Sequence, residues 1–237
     1  MNKNTLLSFS TLCGVALISV PLFAEIKLPA IFGNNMVLQQ QTDVALWGIA
    51  DVNATVEVIT SWNDKIYGTK AADDGRFKLK ITTPKAGGPY TVKITDGKAL
   101  TLENVLIGEV WVCSGQSNMQ MPMKGYNNQP VLGAMDAVLE SNNPNLRLFN
   151  VGMSFSITPQ EDFKGKWDIS NPETTHGYSA TAYFFATKNS LVFMIIGKKA
   201  NIMPQNLIRQ LLKKLLKKLI AIFLVWILQG KKTENSS

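Results

Sequence analysis

Apolar and polar side chains alternate between residues 25 and 104, and this pattern restricts the segment to β-strands. Every second side chain is apolar in residues 76–81, and residues 90–95 repeat the pattern. Because successive side chains of a strand point to opposite faces, such alternation gives sheets with one dry and one solvated face. Turn-forming groups separate the runs, namely Asp73-Asp74-Gly75, Gly87-Gly88-Pro89 and Asp96-Gly97. Residues 25–104 are therefore predicted to form an all-β, antiparallel sandwich.

Two tryptophans, Trp47 and Trp62, lie within this predicted sandwich. An exposed indole could act as a platform for a sugar ring. Packing within or between the sheets is the more usual role of a single tryptophan, and it is the role expected here.

The pattern changes after Asn104. Residues 105–113 are almost continuously apolar, which is typical of a strand buried on both faces. A helix is predicted over residues 130–139, followed by a strand over 146–151, and Ser179 is predicted to cap a second helix that runs to Phe185. Residues 105–186 are thus predicted to be the first, incomplete part of a parallel α/β domain.

A serine follows the predicted buried strand, within the run Cys113-Ser114-Gly115-Gln116-Ser117-Asn118-Met119. The strand would hold Ser117 rigidly, and Gly115 would permit a tight turn that exposes the hydroxyl. The backbone N–H of Ser117 would then point toward a developing oxyanion. Gly-x-Ser is a common tripeptide, so the spacing alone does not distinguish a nucleophile from a solvated turn serine.

Three blocks of the sequence resemble the sialate O-acetylesterase family, whose members are hydrolases of the SGNH superfamily. Residues 107–123, which include Ser117, resemble its nucleophile block. Residues 28–40 resemble the opening of its β-domain, and residues 178–185 resemble its second catalytic-domain helix. The blocks occur in family order, and the resemblance extends from about residue 25 to residue 186.

The resemblance implies a carbohydrate esterase that hydrolyses O-acetyl esters of sialic acid or related sugars through a serine acyl-enzyme. It implies that Ser117 is the nucleophile and that its own amide is one oxyanion donor. Its neighbours Gln116 and Asn118 are the candidate binding residues. No metal and no organic cofactor is expected. Gln120 departs from the family, which usually has Glu at this position.

A second departure concerns the general base, because the family's Asp-x-x-His pair has no counterpart in residues 187–237, which contain neither His nor Asp. The single histidine of the chain, His176, is expected to be a loop or surface residue. A serine without a base is a poor nucleophile at neutral pH. We therefore expect a truncated, nearly inactive esterase, and the alternative is a non-catalytic carbohydrate-binding or membrane-surface protein.

The first 24 residues are predicted to be a secretory signal, because Lys3 precedes an uncharged apolar run that ends near Ala24. An amphipathic or buried first helix is the alternative interpretation. The signal predicts export to the periplasm or the extracellular space. Cleavage after Ala24 would leave Cys113 as the remaining cysteine, which excludes an internal disulfide.

Residues 187–237 form an atypical basic and apolar tail. They contain ten Lys or Arg and one acid, a net charge of +9, which leaves 14 basic and 16 acidic residues before them. The high pI therefore belongs to the tail and does not indicate a nucleic-acid partner. Residues 205–229 could form a basic helix on a membrane surface or an ordinary amphipathic helix packed on the domain, or the tail could be out-of-frame translation.

Overall fold

The computed structural model describes four ranges of the chain, namely residues 25–115, 117–152, 160–188 and 193–197. The predicted signal segment, the candidate residue Gln116 and most of the predicted tail lie outside these ranges. None of the helices in the described ranges is long and apolar enough to span a membrane.

The described residues are mostly β-strand with few helices. The strands are β1 (Val37–Gln39), β2 (Asp43–Ile49), β3 (Thr55–Thr60), β4 (Ile66–Lys70), β5 (Arg76–Thr82), β6 (Gly87–Thr95), β7 (Ala99–Gly108), β8 (Val112–Ser114), β9 (Asn143–Asn150), β10 (Trp167–Ser170) and β11 (Phe193–Gly197). The helices are α1 (Ser117–Gln120), α2 (Ala134–Leu139), α3 (Pro172–Thr175) and α4 (Ala180–Lys188).

The amino-terminal strands form a curled sheet of five strands and a separate pair. The sheet has the order β1-β7-β6-β3-β4, and β2 pairs with β5. Neighbouring strands are antiparallel except for β1, which runs parallel to β7. The prediction of an all-β segment is confirmed, but the sheet is mixed rather than antiparallel, because β1 enters it beside β7 instead of through a hairpin.

The predicted alternation is present in the strands and builds one hydrophobic core. In β5 the apolar Phe77, Leu79 and Ile81 are buried, whereas the intervening side chains are exposed. Val58 of β3 and Ile94 of β6 belong to the same core, so the two sheets share it. Burying each such side chain contributes about 1.5–3 kcal/mol relative to exposure. The apolar side chains at every second position therefore determine which face of each strand packs on the core.

Two of the three predicted turns occur at glycines with positive φ, Gly75 at 77° and Gly97 at 122°. The third group, residues 87–89, is not a turn. It lies inside β6, where the pairing with β7 shifts register between Gly87 and Tyr90. Cross-strand pairing to β7 therefore overrides the local turn preference of these residues.

The buried strand predicted over residues 105–113 is two strands that belong to different sheets. β7 ends at Gly108, whose carbonyl accepts a hydrogen bond from Gln40 N at 2.8 Å. Val110 N donates to Gln39 Oε1 at 3.0 Å. These bonds to the end of β1 hold the chain as it leaves the first sheet, before β8 begins at Val112. Continuous apolar sequence marks burial here but not a single strand.

The second sheet has the order β10-β9-β11-β8. Strands β8, β11 and β9 are parallel, and β10 is antiparallel to β9. The predicted strand–helix–strand unit therefore exists, but β11 lies between its two strands. β11 lies in residues 187–237, the segment predicted to be an atypical tail. The backbone of this segment therefore pairs with β8 as far as Gly197.

Both predicted helices are present with different bounds. Gly133, with φ 70°, stands before α2, which is therefore shorter than predicted. Met135 of this helix is 73 % exposed. The cap of α4 is confirmed, because Ser179 Oγ accepts a hydrogen bond from Ala182 N at 3.4 Å. Helix α4 continues to Lys188, beyond the predicted end at Phe185.

The two sheets pack against each other. Phe149 of β9 and Trp167 of β10 are buried in the core of the amino-terminal strands. The indole N–H of Trp167 donates to the carbonyl of Ile31 at 2.8 Å. The predicted packing roles of Trp47 and Trp62 are also found, since each is partly buried against this core. The position of the second sheet is thus fixed by apolar burial and by buried polar contacts.

Candidate active site

Ser117 lies beyond the carboxyl end of β8, as the first residue of α1. The residue is exposed, and its carbonyl accepts a hydrogen bond from Met121 N at 3.1 Å. Gly115 allows the chain to turn there, since a Cβ on it would lie 3.0 Å from Cβ of Met119. The carboxyl ends of parallel strands are the usual location of ligands in open α/β sheets. The serine hydroxyl is therefore accessible at a favourable edge.

The turn that bears Ser117 is fastened to the start of α4. Ser179 Oγ lies 3.2 Å from Met119 Sδ, and Thr181 Oγ1 donates to the carbonyl of Asn118 at 3.1 Å. Ala180 N donates to the carbonyl of Met121 at 2.8 Å. Two of the sequence blocks that carry the family resemblance, about sixty residues apart, thus meet around the serine.

The predicted binding roles of Gln116 and Asn118 stay predictions. Gln116 lies outside the described residues. Asn118 is exposed, and the contact described for it uses its backbone carbonyl rather than its side-chain amide. An exposed amide beside an accessible hydroxyl is compatible with sugar binding.

The candidate nucleophile is not hydrogen-bonded to a base within the described ranges. His176 is exposed in the turn after α3, as expected, and its carbonyl accepts a hydrogen bond from Lys124 N at 2.9 Å. No hydrogen bond of the described residues joins the Ser117 hydroxyl to a histidine or a carboxylate. Likewise, those ranges contain no group of three or more His, Cys, Asp or Glu placed to hold a metal ion.

The neighbouring thiol does not compete with Ser117 as a nucleophile. Cys113 is half-buried in β8, and burial raises the pKa of its thiol from 9.0 to about 11. The thiol is therefore neutral at physiological pH, and a neutral thiol is unreactive compared with a thiolate. The hydroxyl of Ser117 is thus a more accessible nucleophilic group than this half-buried thiol.

Behind the serine turn, Tyr178 connects the start of α4 to the second sheet. Its buried hydroxyl lies 2.9 Å from the carbonyl of Leu148 and 2.9 Å from Oδ2 of Asp168. The single hydroxyl proton can serve one of these acceptors at a time. Burial, followed by the charge and the hydrogen bond of Asp168, raises the pKa of Tyr178 far above its usual value. Tyr178 is thus a neutral donor that positions the segment against which the serine turn packs.

A shallow depression of about 830 Å³ lies just past α1. It is lined by Lys124, Gly125, Tyr126, Asn127 and Gln129. The Tyr126 hydroxyl donates to the carbonyl of Gln120, the last residue of α1, at 3.1 Å. Sequence reasoning did not identify these residues, although an aromatic residue between glycine and two asparagines was a visible sign of an exposed turn.

Comparison with known proteins links the chain to esterases of acetylated sugars, although no family model matches it. It is 30% identical over 161 residues to the sialate O-acetylesterase of Rattus norvegicus, a match that covers 64% of this chain and 29% of that protein. It is 33% identical over 106 residues to the human sialate O-acetylesterase, covering 40% of this chain and 20% of that protein. The chain thus spans about a third or less of the length of these curated relatives.

A solved structure gives the same picture. A carbohydrate acetylesterase from Xanthomonas citri superposes on this chain with a TM-score of 0.66 and 29% sequence identity. The match covers 73% of this chain and 40% of the Xanthomonas chain. The predicted resemblance is therefore confirmed as a distant similarity to sialate O-acetylesterases over about 64% of the chain.

Proposed function

We propose that this chain carries the nucleophilic serine of a carbohydrate O-acetylesterase, and that Ser117 attacks O-acetyl esters of sialic acid or a related sugar. The four-stranded sheet is, in this proposal, the beginning of an SGNH-type α/β domain. The observation that carries the proposal is the exposed Ser117 beyond the carboxyl end of β8, fastened by Met119 and Asn118 to the start of α4. The similarity to esterases of acetylated sugars supplies the substrate class.

The chemistry follows from the accessible hydroxyl. Ser117 Oγ forms a bond to the acetyl carbonyl carbon, and its proton leaves to a base. The negative charge that develops on the carbonyl oxygen is stabilised by the backbone N–H of Ser117. Collapse of the intermediate breaks the bond to the sugar oxygen, which takes up a proton. Water then releases acetate from the acetyl-serine and regenerates the hydroxyl.

Turnover by this polypeptide alone is expected to be slow. Without a base the serine hydroxyl loses its proton poorly in the first step, and water is poorly activated in the second. Losing a member of a catalytic triad typically lowers the rate by orders of magnitude. His176, exposed in a turn and held through its backbone, is not proposed as the base.

Exogenous imidazole can replace an absent histidine, and this provides the test. We expect an aryl acetate to be hydrolysed slowly by the chain, with a rate that rises with imidazole concentration more steeply than for the Ser117→Ala variant. The difference between the two proteins removes hydrolysis by imidazole itself. Ser114→Ala, which changes an exposed serine at the end of β8, is the matched control and should behave like the wild type. Equal rates for the wild type and Ser117→Ala at every imidazole concentration would exclude the proposal.

Export belongs to the same proposal. The apolar run after Lys3 and the small residue Ala24 support a secretory signal over residues 1–24. Expression with and without residues 1–24, followed by cell fractionation, tests it. Retention of both forms in the cytoplasm would contradict export.

A further inference from the structure

The segment that follows α1 is a tight hairpin over residues 124–129. Tyr126 N donates to the carbonyl of Gln129 at 3.1 Å, and Gln129 N donates back to the carbonyl of Tyr126 at 3.0 Å. Asn128 at the tip has a φ of 58°, a left-handed conformation that asparagine tolerates better than most residues. Gly125 has a φ of 69°, and a Cβ there would lie 2.6 Å from the Gln129 carbonyl. The backbone of this hairpin 124–129 is therefore held in one shape.

The hairpin is also fixed to the body of the protein. Met123 N donates to the carbonyl of Tyr178 at 2.7 Å, and Lys124 N donates to the carbonyl of His176 at 2.9 Å. The Tyr126 hydroxyl reaches the carbonyl of Gln120 at 3.1 Å. Ser117 stands at the other end of the same helical turn, roughly 5 Å along its axis at 1.5 Å per residue. The hairpin 124–129 is therefore bonded to the end of the short helix α1, which begins at Ser117.

The side chains that line the depression combine three kinds of contact. The Tyr126 side chain is half exposed, with 48 % of its surface open to solvent. Asn127 and Gln129 carry amide donors and acceptors, and Lys124 carries the single charge in the lining. Among the described residues no carboxylate forms an ion pair with Lys124. An aromatic face, two amides and an uncompensated ammonium suit an anionic, polyhydroxylated ring better than a neutral one.

We propose that the hairpin 124–129 is a subsite for the carboxylate-bearing sugar ring of the substrate. Tyr126 stacks on the ring, Lys124 pairs with the carboxylate, and Asn127 and Gln129 bind hydroxyl groups. The rigid backbone lowers the entropy that binding would otherwise cost. This subsite selects acidic over neutral acetylated sugars and rests on the proposed function, which it makes specific.

Binding of two probes that differ in one charge tests the subsite without relying on turnover. The probes are the methyl glycoside of N-acetylneuraminic acid and the methyl ester of that same glycoside, titrated against the full chain by ligand-observed NMR. We expect the acid to bind the wild type more tightly than the ester. Lys124→Gln should weaken binding of the acid by about tenfold and leave the ester unchanged, because one ion pair is lost. Lys98→Gln, which makes the same charge change in the turn before β7, should alter neither.

Variants of Tyr126 distinguish stacking of its ring from the hydrogen bond of its hydroxyl to Gln120 in α1. Tyr126→Ala should weaken both probes by about tenfold, since it removes the ring. Tyr126→Phe keeps the ring and loses the bond to Gln120, so the affinity for both probes should change by at most about twofold. No binding of the acid to the wild type, equal affinity for acid and ester, or a Lys124→Gln variant indistinguishable from Lys98→Gln would overturn the subsite.

The experiments distinguish failure of the subsite proposal from failure of the esterase proposal. Binding that discriminates between the probes should persist in Ser117→Ala, because the hairpin does not use the hydroxyl. Discrimination without Ser117-dependent acetyl release would remove the esterase proposal and leave the subsite. Acetyl release that depends on Ser117, combined with probes that bind equally, would remove the subsite and leave the esterase.

Discussion

The guanidinium of Arg147 donates a hydrogen bond from Nη2 to Oδ1 of Asn104, at 3.2 Å, across the junction between the two sheets. Arg147 lies in β9 and is 3% exposed, and its Nε donates to the carbonyl of Pro144 at 2.8 Å. Asn104 lies in β7 with a φ of 55°. The acceptors described for this arginine are amide and backbone oxygens, with no carboxylate among them, and burial lowers the pKa of Arg147 from its usual value.

Replacing this arginine should weaken the junction. Arg147→Lys keeps the charge but loses the planar fork that reaches Asn104 and Pro144 together. It leaves buried acceptors unpaired, so we expect the free energy of unfolding to fall by about 2–3 kcal/mol. Urea denaturation of the wild type and the variant measures this change.

The control for that experiment is Arg76→Lys. Arg76 makes ion pairs with Asp74 and Glu161, but its side chain is 59% exposed. Exposed pairs are worth at most about 1 kcal/mol. If the two variants lose equal stability, Arg147 does not hold the sheets together as the geometry indicates.

Tyr178→Phe removes a buried hydroxyl without changing the shape of the ring. The carbonyl of Leu148 and the carboxylate of Asp168 then lose the one donor that they share, although Asp168 keeps its contact with Lys166 Nζ at 3.0 Å. We expect a loss of about 1–3 kcal/mol in the free energy of unfolding. Tyr67→Phe, which removes an exposed hydroxyl near Thr82, is the control and should cost less. A Tyr178→Phe variant as stable as the wild type would contradict the positioning role.

Cys113 should react slowly in the folded protein. Its pKa of about 11 leaves roughly a hundredfold less thiolate near pH 8 than the usual value of 9.0 would give. Alkylation by iodoacetamide, measured in a Cys13→Ser background, should therefore be about a hundredfold slower in the native state than in urea. Equal rates in the two states would show that the thiol is not shielded.

The same thiol predicts a loss of stability at alkaline pH. A raised pKa means that the neutral thiol is favoured in the folded state. Its contribution is therefore complete below pH 9.0 and is lost as the pH rises through about 11. The Cys113→Ser variant should lose less stability than the wild type over this range. An identical decline for both proteins would assign the pH dependence to other groups.

The sequence predicted the strands well where one face is buried. Phe77, Leu79 and Ile81 fix β5 because a shift of one residue would expose all three. The sequence did not predict features that depend on contacts between distant parts of the chain. The break at Gly108 is accompanied by hydrogen bonds to the end of β1, more than sixty residues earlier. The burial of Arg147 likewise depends on partners in β7 that no local sequence pattern marks.

The candidate site was predictable in part. Gly-x-Ser spacing alone left Ser117 ambiguous, and the resemblance to a family singled it out. The contacts of Ser179 and Thr181 with the serine turn follow from folding and have no local signal. The sequence around Tyr126 indicates an exposed turn, but the position of Tyr126 beside Gln120 is a tertiary contact that no local pattern predicts.

The central claim is that Ser117 is a nucleophile, and the acetyl-serine itself tests it most directly. The described residues hold no base hydrogen-bonded to Ser117, so we expect hydrolysis of this intermediate to be slow and acetyl groups to accumulate. The measurement is mass spectrometry of protein quenched after exposure to an aryl acetate, with fragmentation to locate the modified residue. We predict acetylation of Ser117 in the wild type and in Ser114→Ala, and none at residue 117 in Ser117→Ala. Acetyl groups found on surface lysines alone, in the same amounts in all three proteins, would contradict the account.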